Sequence, residues 1–247
     1  TLHVAVAPMG TVAEGFLVAS AARAKAVAGD RAKIFVVGRF LDLDKAEAVL
    51  AAGSADMVAM TRAHMADPFV VEKTLRGREQ EVTRCIGANV CVSRLIGNRE
   101  VTCFQNPAMG REAQWGDGTL DSVSGSQVRD ISVIGAGPAG LRFALTAARR
   151  GHRVQIFEAA DQPGGRLLEL AALPTRAAWQ EAISNLAGPL AKLGVGITYT
   201  KRIIDANIPG DVIVCATGSS WDKSGYSPYR PERDSIPGAE ADLVVDM

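Results

Sequence analysis

An α/β protein built on parallel sheets is the fold class this sequence predicts, and three observations predict it. Strand-like and helix-like segments alternate before residue 65. The run Asp130–Gly140, DISVIGAGPAG, puts a glycine-rich turn between an apolar strand and a helix. A second strand, Val154–Phe157, ends at an acid, Glu158. Alternating β and α units call for a parallel sheet with covered faces. The first alternation reads as the C-terminal part of a (β/α)8 barrel, and the second as part of a Rossmann-like nucleotide-binding domain.

In chain order, Leu2–Ala7 predicts a strand, Val12–Ala28 a helix, Lys33–Val37 a strand, Asp44–Ala52 a helix and Asp56–Met60 a strand. A complete barrel takes about 250 residues by itself. Barrel and nucleotide domain therefore do not both fit in 247 residues, and the sequence is expected to be a segment of a longer polypeptide. The alternative is a small three-stranded α/β domain complete in itself. The domains expected are 1–80 (barrel strands), 81–128 (a cysteine-containing segment and linker) and 129–247 (an incomplete nucleotide domain). Two of the strands close on arginine: Phe35-Val36-Val37-Gly38-Arg39 and Val58-Ala59-Met60-Thr61-Arg62. Loops after the last two barrel strands commonly bind phosphate. Gly38 allows close backbone approach there, and Arg39 and Arg62 supply charged forks for a phosphomonoester such as that of FMN. His64, in TRAHMADP, is placed for packing or capping at a helix start rather than for catalysis.

In the glycine run, Gly135 turns tightly off the strand, Gly137 lets the backbone approach a pyrophosphate, and Gly140 lets helix and strand pack. Pro138 and Ala139 open the helix, whose first amides face the phosphates. Glu158 stands eighteen residues after Gly140, placed to accept hydrogen bonds from a ribose diol. A helix is expected over Thr175–Leu193, kinked or broken at Pro189. Cys215, in DVIVCATG, reads as a core residue of a strand.

The 27 basic and 27 acidic residues balance, and 47% of the chain is apolar. This gives no electrostatic reason to expect nucleic acid, and no stretch reaches the ~18 apolar residues of a membrane span. Four cysteines are too few for a disulfide scaffold, which points to a reducing, cytoplasmic compartment. Three of them, Cys85, Cys91 and Cys103, fall within nineteen residues. Thiols so close on a glycine-containing loop suggest an iron–sulfur cluster or zinc; the competing reading is a set of buried free thiols. Ala88 stands where a Cys-x2-Cys-x2-Cys run has its middle cysteine.

Taken in order, these pieces resemble the family of trimethylamine dehydrogenase and 2,4-dienoyl-CoA reductase, in which an old-yellow-enzyme-like FMN barrel is joined to a FAD- or ADP-binding module. The matching runs are VVGR (36–39), MTRAHMADP (60–68), the cysteine segment with CFQNPAMGRE (103–112), VIGAGPAG (133–140), FEAADQPGGRL (157–167), VIVCATGSSWD (212–222) and IPGA (236–239). Ala88 and the polar run 224–238 are closest in character to demethylases of dimethylglycine type.

The resemblance implies that Gly38, Arg39 and Arg62 hold the FMN phosphate. It implies that Gly135, Gly137, Pro138, Ala139 and Gly140 hold the pyrophosphate of FAD or ADP, with Glu158 on its ribose. Gly164, Gly165 and Arg166 would close on the same nucleotide, and Ala216, Thr217 and Gly218 would line it. Cys85, Cys91 and Cys103 match three of four cluster ligands, so Ala88 argues against a standard four-cysteine cluster. The implied activity is oxidative N-demethylation of a small methylated amine: hydride passes to FMN, and the iminium left behind hydrolyses to formaldehyde. Electrons would go on to an electron-transfer flavoprotein or a flavin-containing partner subunit, in an oligomer. Two other activities fit the same residues: an NADPH-dependent enoyl reductase, and an electron-transfer subunit with no substrate of its own. The catalytic residues themselves are expected in barrel strands outside this sequence.

Overall fold

In a computed structural model of the chain, the structure describes residues 12–204, 207–220, 224, 229–235 and 237. The expected strand at 2–7, most of IPGA and part of the polar run 224–238 lie outside the described residues. Two parallel sheets carry the architecture.

The first is formed by β1 (Phe35–Val37) and β2 (Met57–Ala59), paired in parallel with Phe35 opposite Met57. Helices α1 (Val18–Ala28) and α2 (Leu43–Ala51) pack on one face. Val36 is buried there with Ala21, Ala46, Val49 and Ala55, and Val58 packs against them. Asp42 starts α2 by accepting a hydrogen bond from the Lys45 amide at 3.1 Å, the usual task of an N-cap carboxylate. The opposite face carries Phe35, 62% exposed, and Val37, 50% exposed. Helix α1 begins at Val18 rather than at Val12. Residues 12–17 instead form a strap across the end of β1, with the Gly15 amide donating to the Gly38 carbonyl at 2.7 Å.

The second sheet has the order β5-β4-β3-β6 (β3 Asp130–Ile134, β4 Arg153–Phe157, β5 Gly196–Thr198, β6 Val212–Cys215), with every pairing parallel. Its core joins Val133 and Ile156 of the strands to Leu141, Ala144 and Leu145 of helix α7 (Pro138–Arg149). Helix α9 (Gln180–Lys192), which follows the short α8 (Arg166–Ala171), adds Ile183, Leu186 and Leu190. The spacing of 141, 144 and 145 is the apolar stripe of an amphipathic helix. Pro138 at the first helical position costs α7 nothing, because that amide has no partner in any helix. Pro189 does not break α9: it sits in the last turn, so the helix loses one hydrogen bond and ends three residues later. Residues 174–179 form a separate 3-10 turn before it. Cys215 is exposed rather than buried; among the described residues β6 is an edge strand of this sheet.

Between the sheets run α3 (Thr61–Ala66), α4 (Val70–Leu75), α5 (Val90–Ile96) and the short α6 (Glu112–Trp115). Asp67, 3% exposed, organises the start of this segment, accepting hydrogen bonds from the Phe69 and Thr83 amides and from the Lys73 ammonium. Further along, Ile86 is buried in the core of the second sheet and Ala88 packs against it. Gln105 ties the segment to that sheet's helices: its side-chain oxygen accepts from Asn185 at 2.8 Å and its carbonyl from Arg142 at 2.7 Å. Its side-chain amide donates to the Arg84 carbonyl. The adjacent Asn106 donates to the Met65 carbonyl of α3 at 3.0 Å, so neighbouring side chains stitch both units together.

Candidate functional site

Two groups of sequence-predicted residues come together, each at the C-terminal end of a parallel sheet, which is where such folds bind ligands. The first is a cleft of about 270 Å³ at the ends of β1 and β2, walled by Gly38, Arg39, Met60, Arg62 and Phe16, with Cys91 and Leu95 of α5 opposite. Gly38 is buried, and a Cβ there would sit in contact with the Gly15 backbone at 3.4 Å. Arg39 takes a left-handed conformation, φ 59°, uncommon for a residue with a long side chain. Its Nη1 donates to the Val12 carbonyl at 3.0 Å, while its Nε is buried with no hydrogen-bond partner among the described residues. A buried donor with nothing to donate to carries a desolvation cost. The two arginines that line the cleft suit an anionic group. Arg62 donates from Nη1 to the Asn89 side-chain oxygen at 2.7 Å, so it also anchors the cysteine segment to the cleft.

His64 is exposed in the last turn of α3 and makes no cap; Met60 holds the N-cap position without a side-chain hydrogen bond.

The second group surrounds the turn from β3 into α7. Gly135 has φ +104°, and a Cβ on it would strike the Ala216 carbonyl; one on Gly140 would strike the Gly135 carbonyl. Both glycines are required by the packing. Gly137 differs: a Cβ there would meet open space, and that space lies before the first turn of α7, whose amides lack intrahelical partners. A pyrophosphate fits where that Cβ would project. Ala139 stands beside Pro138 in the same turn. The Gly164 amide donates to the Ala136 carbonyl at 2.9 Å, and a Cβ on Gly165 would sit 3.4 Å from the Gly137 Cα. The GG pair thus backs the glycine turn. The Ala216 amide donates to the Ile134 carbonyl, and Arg166 reaches the Ser219 carbonyl from Nε while pairing with Glu169. Thr217 and Gly218 follow, exposed, on the same return. Glu158 accepts from the Ala136 amide at 2.6 Å and the Ala160 amide at 2.8 Å. It therefore braces the glycine turn.

The cysteines behave differently. All three are half-buried, and burial pushes the Cys103 thiol up, with Cys85 and Cys91 near enough to add to the effect. Among the described residues no group of three or more His, Cys, Asp or Glu side chains is placed to hold a metal ion. Ala88 points its methyl toward the apolar core rather than offering a donor. The segment thus carries three thiols and an alanine. Three structural features are not singled out by sequence reasoning: the strap 12–17, Asn89 and Gln105. Gln105 and Asn89 lie inside matching runs without standing out there, and the strap lies in a run that reads as helix.

Residues 133–175 match the model of the NAD(P)-binding Rossmann-like domain. The chain is 37% identical to a probable N-methylproline demethylase of Rhizobium meliloti (strain 1021), over 74% of this chain and 27% of that protein. It is 39% identical to a metal reductase of Desulforamulus reducens, over 71% of this chain and 27% of that protein. The chain thus spans roughly a quarter of the curated relatives' length. The solved structure of 6-hydroxypseudooxynicotine amine oxidase from Pseudomonas geniculata N1 superposes with a TM-score of 0.82 at 29% identity, covering 94% of this chain and 35% of that one. Amine dehydrogenases, N-demethylases and old-yellow-enzyme-like reductases recur among the homologues and structural neighbours to which this chain is similar.

Proposed function

We propose that this chain is the flavin-phosphate end and the nucleotide-binding unit of an enzyme that oxidatively N-demethylates a small methylated amine. The observation that carries this reading is the buried Arg39 Nε, unpartnered among the described residues, at the β1–β2 cleft beside Gly38 and Arg62. The names of the relatives support the amine as substrate: N-methylproline demethylase and N,N-dimethylglycine/sarcosine dehydrogenase. On this reading residues 1–80 belong to the FMN barrel, 81–128 to the cysteine segment and 129–247 to the FAD- or ADP-binding domain.

FMN bound here would supply the hydride acceptor for an N–CH3 carbon. The chain's own residues do the holding. Arg39 and Arg62 bring two guanidinium groups to one cleft, and Gly38 admits the phosphate to the backbone. At the second site Gly137, Pro138, Ala139 and Gly140 present the start of α7 to a pyrophosphate. Gly164, Gly165 and Arg166 close from one side and Ala216, Thr217 and Gly218 from the other, and Glu158 fixes the turn and meets the ribose. Cys85, Cys91 and Cys103 keep the family's loop without the fourth thiol. Electrons taken up by a flavin bound here would then need another acceptor, an electron-transfer flavoprotein or a flavin-bearing partner subunit in an oligomer. Anaerobic titration tests the reading: dimethylglycine or an N-methylated amine should bleach the bound flavin's absorbance. Bleaching by NADPH alone would favour an enoyl reductase, and bleaching by neither an electron-transfer subunit. Iron and sulfide analysis of anaerobically purified protein should show fewer than about four irons per chain, the complement of a [4Fe–4S] centre.

A further inference from the structure

The strap 12–17 departs from the helix its sequence predicts, and its placement has a cause. Glu14 is largely buried, its side chain 13% exposed. One carboxylate oxygen accepts from the Leu41 amide at 2.9 Å and the other from the Lys45 ammonium at 2.6 Å. The Gly15 amide holds the Gly38 carbonyl at 2.7 Å, and the Val12 carbonyl holds Arg39 Nη1 at 3.0 Å. Phe16 completes the strap's contribution by lining the cleft. The strap is therefore stapled to the chain on both sides of Arg39: to Gly38 before it and to Leu41 after it. Between those staples stands a residue whose left-handed backbone, φ 59°, needs its surroundings to persist.

We infer that Glu14 is a positioning residue of the phosphate site: by fixing the strap across the end of β1, it holds the Val12 carbonyl against the Arg39 guanidinium and keeps the Nε donor for an incoming phosphate. This rests on the proposed flavin-phosphate reading and extends it to a residue that touches no ligand. Preorganised donors bind an anion without reordering on arrival. An unanchored Arg39 would lose its forked geometry first.

The test compares two ligands that differ only in the phosphate. Flavin-free protein is titrated with FMN and with riboflavin, following quenching of flavin fluorescence. The unaltered protein should prefer FMN. Glu14→Ala should weaken FMN about tenfold, the loss expected when one charge-assisted hydrogen bond is misaligned, and leave riboflavin unchanged. Glu14→Gln keeps an acceptor for the Leu41 amide and should recover part of the loss. Lys45→Ala, at a side chain 55% exposed, removes one staple without threatening the fold and should lower FMN affinity by a smaller factor. A Glu14→Ala protein that keeps the full FMN preference, or loses both flavins equally, would overturn the inference while leaving the phosphate site standing. An unaltered protein with no preference for FMN would overturn the phosphate site itself, and this inference with it.

Discussion

At Ile134 the chain leaves β3 through glycines and enters α7 at Pro138, whereas at Val37 it leaves β1 through one glycine and arrives at Arg39. On the proposed reading both ends face a site for an anion. At the first the backbone would do the binding: Gly137 leaves open space at the start of α7, while Gly135 and Gly140 tolerate no Cβ. At the second the side chains would do it, with Arg39 after β1 and Arg62 at the start of α3 lining one cleft. A backbone site depends on local geometry and needs particular residues at fixed intervals. A side-chain site depends on which strands the fold brings side by side. The two sheets differ in the same sense, since Val133 and Ile156 are wholly buried while Phe35 beside Val36 is 62% exposed.

Substitutions at the glycine turn should produce the largest effects and separate its two kinds of glycine. Gly140→Leu would drive a side chain into the Gly135 carbonyl and should destabilise the nucleotide unit by on the order of 3 kcal/mol, at the upper end for overpacking. Gly137→Leu should leave thermal unfolding almost unchanged, because its Cβ meets open space, yet abolish binding of ADP or FAD in calorimetry. Retained nucleotide affinity in Gly137→Leu would mean that the backbone site is not where the pyrophosphate lies.

Leu190→Ala comes next. The side chain is fully buried in the core under the second sheet, and its loss should cost about 2–5 kcal/mol in chemical denaturation. A cost below ~1 kcal/mol, well short of the usual cavity penalty, would show that Pro189 loosens the end of α9 more than its burial suggests.

Arg39→Ala tests the side-chain site. Losing one charge-assisted donor of ~1.5–3 kcal/mol should weaken FMN by about 10–100-fold and leave riboflavin alone. Arg39→Lys should fare little better, since an ammonium lacks the fork. Equal loss of both flavins would make Arg39 a structural residue.

The smallest expected effect concerns acid stability of the first sheet. Asp56 accepts a hydrogen bond from the Ile34 amide at 2.8 Å and pairs with Lys25 at 2.9 Å. These hold its carboxyl at about 2, below its ordinary 3.8, with the Ile34 amide the larger cause. A depressed carboxyl stabilises the fold above its ordinary value and loses that contribution as pH falls through the folded value. Amide exchange in β1 and β2 should therefore quicken between about pH 4 and 2. In Asp56→Asn this component should be absent, and an unchanged profile would place the acid sensitivity elsewhere.

The elements that turn on short-range chemistry are legible in the order of residues alone. The parallel α/β class follows from alternation, the β3–α7 turn from its glycine spacing, and α2 from the helix expected over Asp44–Ala52, whose N-cap at Asp42 the structure adds. Gly38, Arg39 and Arg62 stand out as candidates because each ends a strand, and their sharing of one cleft follows from the parallel pairing of β1 with β2. Other features depend on neighbours far along the chain. Val12–Leu17 has helix-compatible residues, but Gly15 and Glu14 find better partners in Gly38, Leu41 and Lys45. Cys215 looks like core in an apolar strand and is exposed; among the described residues, no strand pairs beyond β6 within its sheet. Ala88 marks a missing thiol in the sequence; the fold alone turns its methyl into the nucleotide core. The sequence by itself marked where the backbone is bare, because the glycine spacing around Pro138 is a local pattern; at Gly140 the collision that forbids a Cβ is also local, with the Gly135 carbonyl, whereas at Gly135 it comes from Ala216 far along the chain. Only the tertiary structure decided which long side chains share a cleft and which residue is left holding them there, because those contacts close loops whose ends lie twenty-seven to eighty residues apart.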